Sequence, residues 1–184
     1  MVLTKTPICN FGEKPHTFEL KDVSEKVHKF EDLVGEKGTL IMFICNHCPY
    51  VKAVIKDIVN DTNSLKSLNI NTIAIMSNDT KNYPDDSFEN MIKFSKINKF
   101  NFPYLLDDTQ EIAKKYGAVC TPDFFGYNKN LELQYRGRIR ELRDLKPITT
   151  GESDLFNAMK MIAETGKGPK NQIPSMGCNI KWFK

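Results

Sequence analysis

The most constraining feature of the sequence is a short apolar run that leads directly into two closely spaced cysteines. The run Leu40–Ile44 is followed at once by Cys45-Asn46-His47-Cys48-Pro49. From Val51 onward, apolar residues recur at i, i+3, i+4, i+7 and i+8, as far as Val59. The first segment predicts a buried strand and the second an amphipathic helix, so the cysteines fall at a strand-to-helix junction.

Two cysteines separated by two residues at such a junction are typical of a redox pair. Only a thiolate attacks a disulfide or a peroxide, and a helix N-terminus favours the anion through its unpaired N–H groups and partial positive charge. Pro49 suits the first helical turn, because the N–H that it lacks has no partner there. His47 adds positive charge when it is protonated. Cys48 is placed to attack a mixed disulfide formed at Cys45.

Other interpretations of the cysteine pair are less well supported. A zinc site needs four ligands, usually as two short-spaced pairs, and the remaining cysteines (9, 120 and 178) are single and distant. Haem attachment requires a histidine directly after the second cysteine, where Pro49 stands. A structural disulfide and a Cu(I) site formed by the two thiolates and His47 stay open as alternatives. Redox chemistry is favoured, and it requires no metal and no organic cofactor.

Length, charge and cysteine usage limit the class of protein. The 184 residues suffice for one full core, so we expect residues 1–184 to form a single domain. Residues 1–36 are expected to be a lead-in, and residues 169–184 a docked tail with the only tryptophan. A net charge of +3 with interspersed lysines and acids gives no support for nucleic-acid or membrane binding. Five irregularly spaced cysteines, and a start without an apolar export segment, predict a cytoplasmic location.

The chain beyond the cysteines predicts further strands and helices. The apolar run 73–76 predicts a strand parallel to the first, which places Ser77-Asn78-Asp79 at the same sheet edge as the cysteines. These three are interpreted as turn residues. An insert, 80–108, predicts a helix from Phe88 to about Ile97, and a final helix is predicted from about Asp154 to Thr165.

Three arginines, Arg136, Arg138 and Arg140, alternate with apolar residues near the end of a predicted strand. We interpret them as a solvated sheet face. Arg136 or Arg138 is also a candidate for a cation that stabilises a thiolate.

Four stretches of the chain resemble one known family. They are residues 43–51 with the cysteine pair, 116–125 around Thr121-Pro122, 135–139 with two arginines, and the ending 177–182. Together they resemble the peroxiredoxin-like branch of the alkyl hydroperoxide reductase/thiol-specific antioxidant (AhpC/TSA, or redoxin) family, within the thioredoxin superfamily. The resemblance implies an α/β, thioredoxin-like fold: a central mixed β-sheet flanked by helices, with an N-terminal extension and a helical insert.

The resemblance also implies roles for individual residues. Thr121-Pro122 matches a cis-proline that lies beside the redox pair and holds a backbone edge open for a substrate disulfide. Cys120, directly before it, is then either a third redox participant or a buried structural thiol. By similarity to thioredoxins the nucleophile is Cys45, whereas by similarity to peroxiredoxins it is Cys48.

The chain departs from both patterns. The peroxiredoxin signature P-x-x-x-T/S-x-x-C places Ile41 at its proline and Cys45 at the hydroxyl residue that helps orient a peroxide. Thioredoxins carry an acidic residue where this chain has Thr39, so the proton acceptor for Cys48 is unidentified. For a peroxidase, Cys178 is either a distant resolving cysteine or, as we favour, a packed tail thiol.

We therefore expect a thiol–disulfide oxidoreductase. The alternative is a thiol peroxidase, an antioxidant enzyme that reduces hydrogen peroxide or alkyl hydroperoxides. The expected partners are a protein or small-molecule disulfide, or a peroxide, together with an external thiol reductant.

Overall fold

Strands and helices alternate along residues 2–184, which the computed structural model describes. The helices are α1 (Pro49–Ser67), α2 (Phe88–Ile97), α3 (Glu111–Tyr116) and α4 (Asp154–Thr165). Two 3-10 turns lie at Phe30–Asp32 and Pro84–Asp86. The strands are β1 (Leu3–Lys5), β2 (Glu19–Asp22), β3 (Val27–Lys29), β4 (Gly38–Phe43), β5 (Ile70–Met76), β6 (Tyr104–Leu106), β7 (Cys120–Thr121), β8 (Asp123–Asn128), β9 (Leu133–Tyr135), β10 (Leu142–Arg143), β11 (Lys146–Pro147) and β12 (Met176–Asn179).

The main sheet has seven strands in the order β3-β2-β6-β5-β4-β8-β9. Strand β4 pairs in parallel with β5, as predicted, and antiparallel with β8. Its last residue, Phe43, lies opposite Ile75 on one side and Asp123 on the other. The predicted central mixed sheet flanked by helices is therefore confirmed, and the first cysteine follows directly from its middle strand.

Each face of this sheet packs against its own hydrophobic cluster. Leu40 and Met42 of β4 face the cluster that contains the apolar stripes of α1 and α4, whereas Ile41 and Phe43 face the cluster beneath α3. All six residues of β4 are buried, because helices cover both faces. The predicted helical stripe is buried as well, at Val51, Val54, Ile55 and Ile58.

The predicted insert and final helices have the expected bounds, and serine caps explain both starts. The Ser87 hydroxyl accepts a hydrogen bond from the backbone N–H of Asn90 at the start of α2 (3.3 Å). Ser153 does the same for Phe156 at the start of α4 (2.9 Å). Within the insert, the 3-10 turn Pro84–Asp86 precedes α2 and approaches the cysteines.

A second, three-stranded sheet has the order β1-β12-β7. It joins the two ends of the chain: β12, within 169–184, pairs antiparallel with β1 on one side and with β7 on the other. At Gly177 a β-carbon would stand only 2.0 Å from the carbonyl oxygen of Thr121, so only glycine permits this close approach. Of the lead-in 1–36, Met1 lies outside the described residues, and the remainder supplies β1, β2 and β3.

The expectation of a solvated arginine face is wrong. Arg136 and Arg140 are only 7% and 8% exposed. Arg136 forms an ion pair with the fully buried Asp123 (2.9 Å), and Arg140 forms one with Asp57 (3.3 Å). Strand β9 ends before these arginines, so strand alternation does not extend to them, and their burial is tolerated because each guanidinium meets a carboxylate.

Replacing the fully buried Ile58 by alanine leaves a cavity between α1 and the sheet. We expect Ile58→Ala to lower the free energy of unfolding by about 2–5 kcal/mol. Chemical denaturation measures this change. The exposed Lys56→Ala on the same helix is the control and should change stability by less than about 0.5 kcal/mol. Equal effects of the two substitutions would contradict the packing described.

Candidate active site

The two cysteines lie between the end of β4 and the start of α1. Cys48 is the N-cap residue of α1, and Pro49 occupies the first helical turn as predicted. Both cysteines are buried, with Cys45 1% and Cys48 0% exposed. The helix start therefore places one sulfur at the end where backbone N–H groups are unpaired.

The Cys48 sulfur lies at the centre of a cluster of polar groups. As a thiol it donates a hydrogen bond to the carbonyl oxygen of Thr121 (3.2 Å). A hydrogen bond from the Cys45 thiol is the largest cause that lowers the pKa of Cys48, to about 5, against the effect of burial. Hydrogen bonds from the thiol of Cys178 and the backbone N–H of Val51 act in the same direction. These contacts favour the thiolate form of Cys48 over that of Cys45.

Cys45 is the protonated partner of this thiolate. Its sulfur lies 3.3 Å from the hydroxyl oxygen of Thr121. Its hydrogen bond to Cys48 raises the pKa of Cys45 well above the ordinary value, and burial and the negative charge of Asp86 add to the rise. Thr121 thus contacts both cysteines, one through its hydroxyl group and the other through its backbone.

The Thr121–Pro122 peptide bond is cis, as the resemblance implies. The backbone edge beside it, however, is occupied: in the second sheet Cys178 lies opposite Thr121, and Asn179 lies opposite Cys120. The expectation that this edge stands open for a substrate is therefore wrong for this conformation. The reason is the close approach of β12 described above.

His47 forms an ion pair with a residue of the insert. Its Nδ1 lies 2.6 Å from a carboxylate oxygen of Asp86, and its ring stacks against that of Tyr83. Asp86 is fully buried and also accepts hydrogen bonds from the backbone N–H of Asn46 (2.8 Å) and the side-chain amide of Asn78 (2.7 Å). The hydrogen bond to Asp86 raises the pKa of His47, whereas the hydrogen bonds from His47 and Asn78 lower that of Asp86 despite its burial.

Ligand atoms of Cys45, His47 and Asp86 all lie within 4.8 Å of one another, which is a spacing compatible with metal binding. The contacts already made by these groups account for the arrangement. The Asp86 carboxylate is paired with His47 and accepts hydrogen bonds from the amides of Asn46 and Asn78. The Cys45 thiol interacts with Cys48. The cluster thus has the character of an ion-pair network that fixes the segment between the two cysteines.

The other candidate residues lie around this centre or away from it. Cys120 is fully buried in β7, its thiol faces the carbonyl oxygen of Pro122 (3.7 Å), and burial raises its pKa. These contacts are those of a structural thiol. Arg136 is engaged by Asp123, and Arg138 hydrogen-bonds to Asp154 (2.7 Å). Both candidate cations are thus held by carboxylates.

Sequence reasoning missed three members of the cluster. Nothing in the sequence singles out Asp86, the position of Asn78 favours a turn residue, and Cys178 is interpreted as a packed tail thiol in preference to a distant resolving cysteine. The parallel pairing of β4 and β5 was a usable signal for Asn78, because it brings 77–79 to the cysteine edge. For Asp86 and Cys178 no local pattern in the sequence indicated the contact.

A cavity of about 290 Å³ lies beside the cis-proline. It is lined on one side by Pro122 and Tyr50, and Met176 of β12 borders it on the other. Tyr50 and Met176 are each two positions from a cysteine of the cluster. The cavity thus lies near the cysteine cluster, although neither Cys48 nor Cys178 lines it.

Replacing Asp86 by asparagine should lower the pKa of His47. The hydrogen bond and the charge of Asp86 both raise this pKa, whereas burial and the charge of Lys181 oppose them. Because the shift is upward, the stability that protonated His47 contributes is present below about pH 6.5 and is lost as the pH rises through its raised pKa. An NMR titration of His47 in wild type and Asp86→Asn measures the change.

The matched control for that titration is Asp22→Asn. Asp22 lies 2.6 Å from His28, in a histidine–carboxylate pair remote from the cysteines in sequence. This variant should leave the titration of His47 unchanged. An unchanged titration of His47 in Asp86→Asn would contradict the ion pair.

The ultraviolet absorbance of the thiolate should titrate with a midpoint near pH 5, and Cys48→Ser should abolish this transition. Cys45→Ala should move the midpoint upward, because it removes the strongest hydrogen bond to the Cys48 sulfur. Cys9→Ser is the control, since burial raises the pKa of Cys9 to about 11. A midpoint near that of free cysteine, about 8.5, would contradict the assignment.

Comparison with known proteins places this site in a family. The model of the AhpC/TSA family matches residues 11–142. A solved structure of an uncharacterized conserved protein from Geobacillus kaustophilus is 38% identical, with a TM-score of 0.93, and the match covers 100% of this chain and 97% of that one. A hypothetical protein from Sinorhizobium meliloti 1021 is 30% identical, with a TM-score of 0.90 and 98% of each chain covered.

A more distant solved structure is informative about the fold. The thioredoxin domain of a thiol-disulfide oxidoreductase from Bacteroides vulgatus has a TM-score of 0.63 at 16% identity, covering 83% of this chain and 97% of that one. The fold is accordingly thioredoxin-like. No curated protein matches the chain. Within residues 2–184, none of the helices has the length and apolar character needed to cross a membrane.

Proposed function

The chain belongs to the AhpC/TSA family, and we propose that it is a thiol–disulfide oxidoreductase acting through Cys45 and Cys48. One observation carries the proposal: both thiols are buried together at the N-terminus of α1 and contact the same residue, Thr121, in surroundings that lower the pKa of Cys48 and raise that of Cys45. A thiolate with a protonated thiol beside it is the pair that disulfide exchange requires.

In this mechanism Cys48 is the nucleophile and Cys45 the resolving thiol, which reverses the roles that the sequence alone favours. Its thiolate attacks a substrate disulfide, forms a mixed disulfide and releases the first substrate thiolate. Cys45 then attacks the Cys48 sulfur, the Cys45–Cys48 bond forms, and the second substrate thiolate leaves with the proton of Cys45. The substrate disulfide is reduced to two thiols, the cysteine pair is oxidised, and an external thiol reductant restores it.

Neighbouring residues support these steps without reacting. The Thr121 hydroxyl contacts Cys45 and also lowers the pKa of Cys48, whereas the Thr121 carbonyl oxygen accepts a hydrogen bond from Cys48 only while Cys48 is a thiol. Pro122 borders the cavity through which a small disulfide approaches. His47 is held by Asp86, and as a cation it stabilises the negative charge of the nearby thiolate.

Peroxide reduction is a second candidate, and the burial of Cys48 favours it. A fully buried sulfur beneath β12 admits a small peroxide more readily than a bulky disulfide. The Cys48 thiolate would attack one peroxide oxygen, giving a sulfenic acid and releasing the other oxygen as water or an alcohol. Cys45 would then condense with the sulfenic acid, giving the disulfide and water. The thiol of Cys45 stands where peroxiredoxins carry the orienting hydroxyl, which weighs against this candidate.

Kinetics of the two oxidations test the proposal. The reduced protein is mixed separately with a small model disulfide and with hydrogen peroxide, and the loss of thiols is followed over time. We expect disulfide exchange at pH 7 to be faster than for free cysteine, since the lowered pKa makes more of Cys48 thiolate and the adjacent thiol of Cys45 completes the exchange. Cys48→Ser should lose this reaction, and Cys9→Ser should keep it.

Full disulfide exchange in Cys48→Ser would contradict the assigned nucleophile. Rapid peroxide oxidation, with sulfenic acid trapped on Cys48 and slow disulfide exchange, would instead select the second candidate.

A further inference from the structure

A third thiol contacts the Cys48 sulfur. The Sγ atoms of Cys48 and Cys178 lie 2.8 Å apart, although the residues are separated by 130 positions in the sequence. This distance is less than 1 Å longer than a covalent S–S bond of about 2.05 Å. A small displacement of the two side chains is therefore enough to join them.

The backbone holds Cys178 in this position from both sides. Cys178 lies opposite Leu3 of β1 and opposite Thr121 of β7. The carbonyl oxygen of Thr121 also faces the thiol of Cys48. Gly177 lets β12 approach β7 this closely, since any β-carbon there would collide with Thr121. The contact thus follows from strand pairing on either side of β12.

The two thiols that flank the Cys48 sulfur, those of Cys45 and Cys178, have similar environments. Cys45 and Cys178 are both buried, and the pKa of each is raised, that of Cys178 to about 12 by burial and by its hydrogen bond to Cys48. Each is thus a protonated thiol beside one thiolate. The site contains a single nucleophile with two neighbours that can condense with it.

We propose that Cys178 is a second resolving cysteine, which forms a reversible intrachain disulfide with Cys48. The inference rests on the proposed function and extends it. Starting from a Cys45–Cys48 disulfide, Cys178 loses its proton and attacks the Cys48 sulfur. The Cys48–Cys178 bond forms, the Cys45–Cys48 bond breaks, and Cys45 leaves as a thiolate that takes up the proton. The oxidation state of the protein is unchanged by this exchange.

The same attack resolves a mixed disulfide at Cys48 directly. Cys178 then forms the bond with Cys48, and the substrate leaves as a thiolate that takes the proton. The position of the disulfide also controls the backbone edge along β7. A Cys48–Cys178 bond fixes β12 covalently on this edge, whereas a Cys45–Cys48 bond leaves β12 held by hydrogen bonds and packing.

Disulfide mapping tests the inference. Reduced wild type, Cys45→Ser and Cys178→Ser are each mixed with one equivalent of a small aromatic disulfide, quenched with acid over time, alkylated and mapped by mass spectrometry. In Cys45→Ser we expect a peptide that links Cys48 to Cys178. In Cys178→Ser we expect only the Cys45–Cys48 bond. In oxidised wild type we expect a mixture, in which some molecules contain the Cys45–Cys48 bond and others the Cys48–Cys178 bond.

A matched variant tests whether the position of β12 controls formation of the Cys48–Cys178 bond. Gly177→Ala places a β-carbon against Thr121 and pushes β12 away. It should slow formation of the Cys48–Cys178 bond about tenfold or more, because displacements of order 1 Å have such effects on reacting groups. Formation of the Cys45–Cys48 bond, in which β12 takes no part, should be slowed far less. Cys9→Ser serves as the control for thiol number and should react like wild type.

Two failures can be told apart. A lasting mixed disulfide at Cys48 in Cys45→Ser, with Cys178 fully alkylated, overturns the inference and leaves the proposed function intact. Wild type in which neither Cys45 nor Cys48 reacts faster than free cysteine overturns the proposed function. Should Cys45→Ser not fold, wild type equilibrated in a thiol–disulfide buffer decides the question, since absence of any Cys48–Cys178 peptide overturns the inference.

Discussion

The pairing of β4 with its two neighbours determines where every part of the site lies. Phe43, at the end of β4, is opposite Ile75 in the parallel neighbour and opposite Asp123 in the antiparallel one. The same edge of the sheet therefore receives the end of β5, the start of β8 and the turn into α1. Asn78 lies just beyond the end of β5, the cis-proline lies just before the start of β8, and the cysteines lie in the turn into α1. A shift of register by one residue would exchange the hydrophobic clusters that the two faces of β4 contact, and would move these three groups apart.

Hydrogen bonding, more than the helix terminus alone, distinguishes the two cysteines of the pair. Both are buried, so burial disfavours ionisation of either sulfur. Cys48 accepts hydrogen bonds from two thiols and a backbone N–H, whereas Cys45 faces the negative charge of Asp86. The carboxylate that holds His47 in place therefore also adds to the rise in the pKa of Cys45, beside the larger effects of Cys48 and of burial.

The sequence predicted those parts of the molecule that depend on local order. Helical periodicity identified α1, α2 and α4, and the apolar runs identified β4 and β5, because each buries a face whose spacing is visible over ten or so residues. The position of the cysteines at a strand-to-helix junction followed from the same pattern. The thioredoxin-like architecture followed from motifs that the chain has in common with its family.

The remaining features depend on pairings between distant segments, which periodicity does not encode. Asp86 is one acid among several in a polar insert, and only the folded turn directs it to His47. Strand β12 has four residues, too few for an alternating pattern to reveal its partners. The buried arginines were misjudged for the same reason, since the carboxylate that neutralises Arg140, Asp57, lies on a helix that strand alternation cannot anticipate.

The distance along the chain between Cys48 and Cys178 gives their contact a consequence for the unfolded state. A disulfide between Cys45 and Cys48 closes a loop of a few residues and restricts the denatured chain only slightly. One between Cys48 and Cys178 closes a loop of about 130 residues, which by the chain-entropy model removes about 5 kcal/mol of conformational freedom from the denatured ensemble. Transfer of the disulfide from one position to the other would thus couple redox chemistry at a single sulfur to the global stability of the fold.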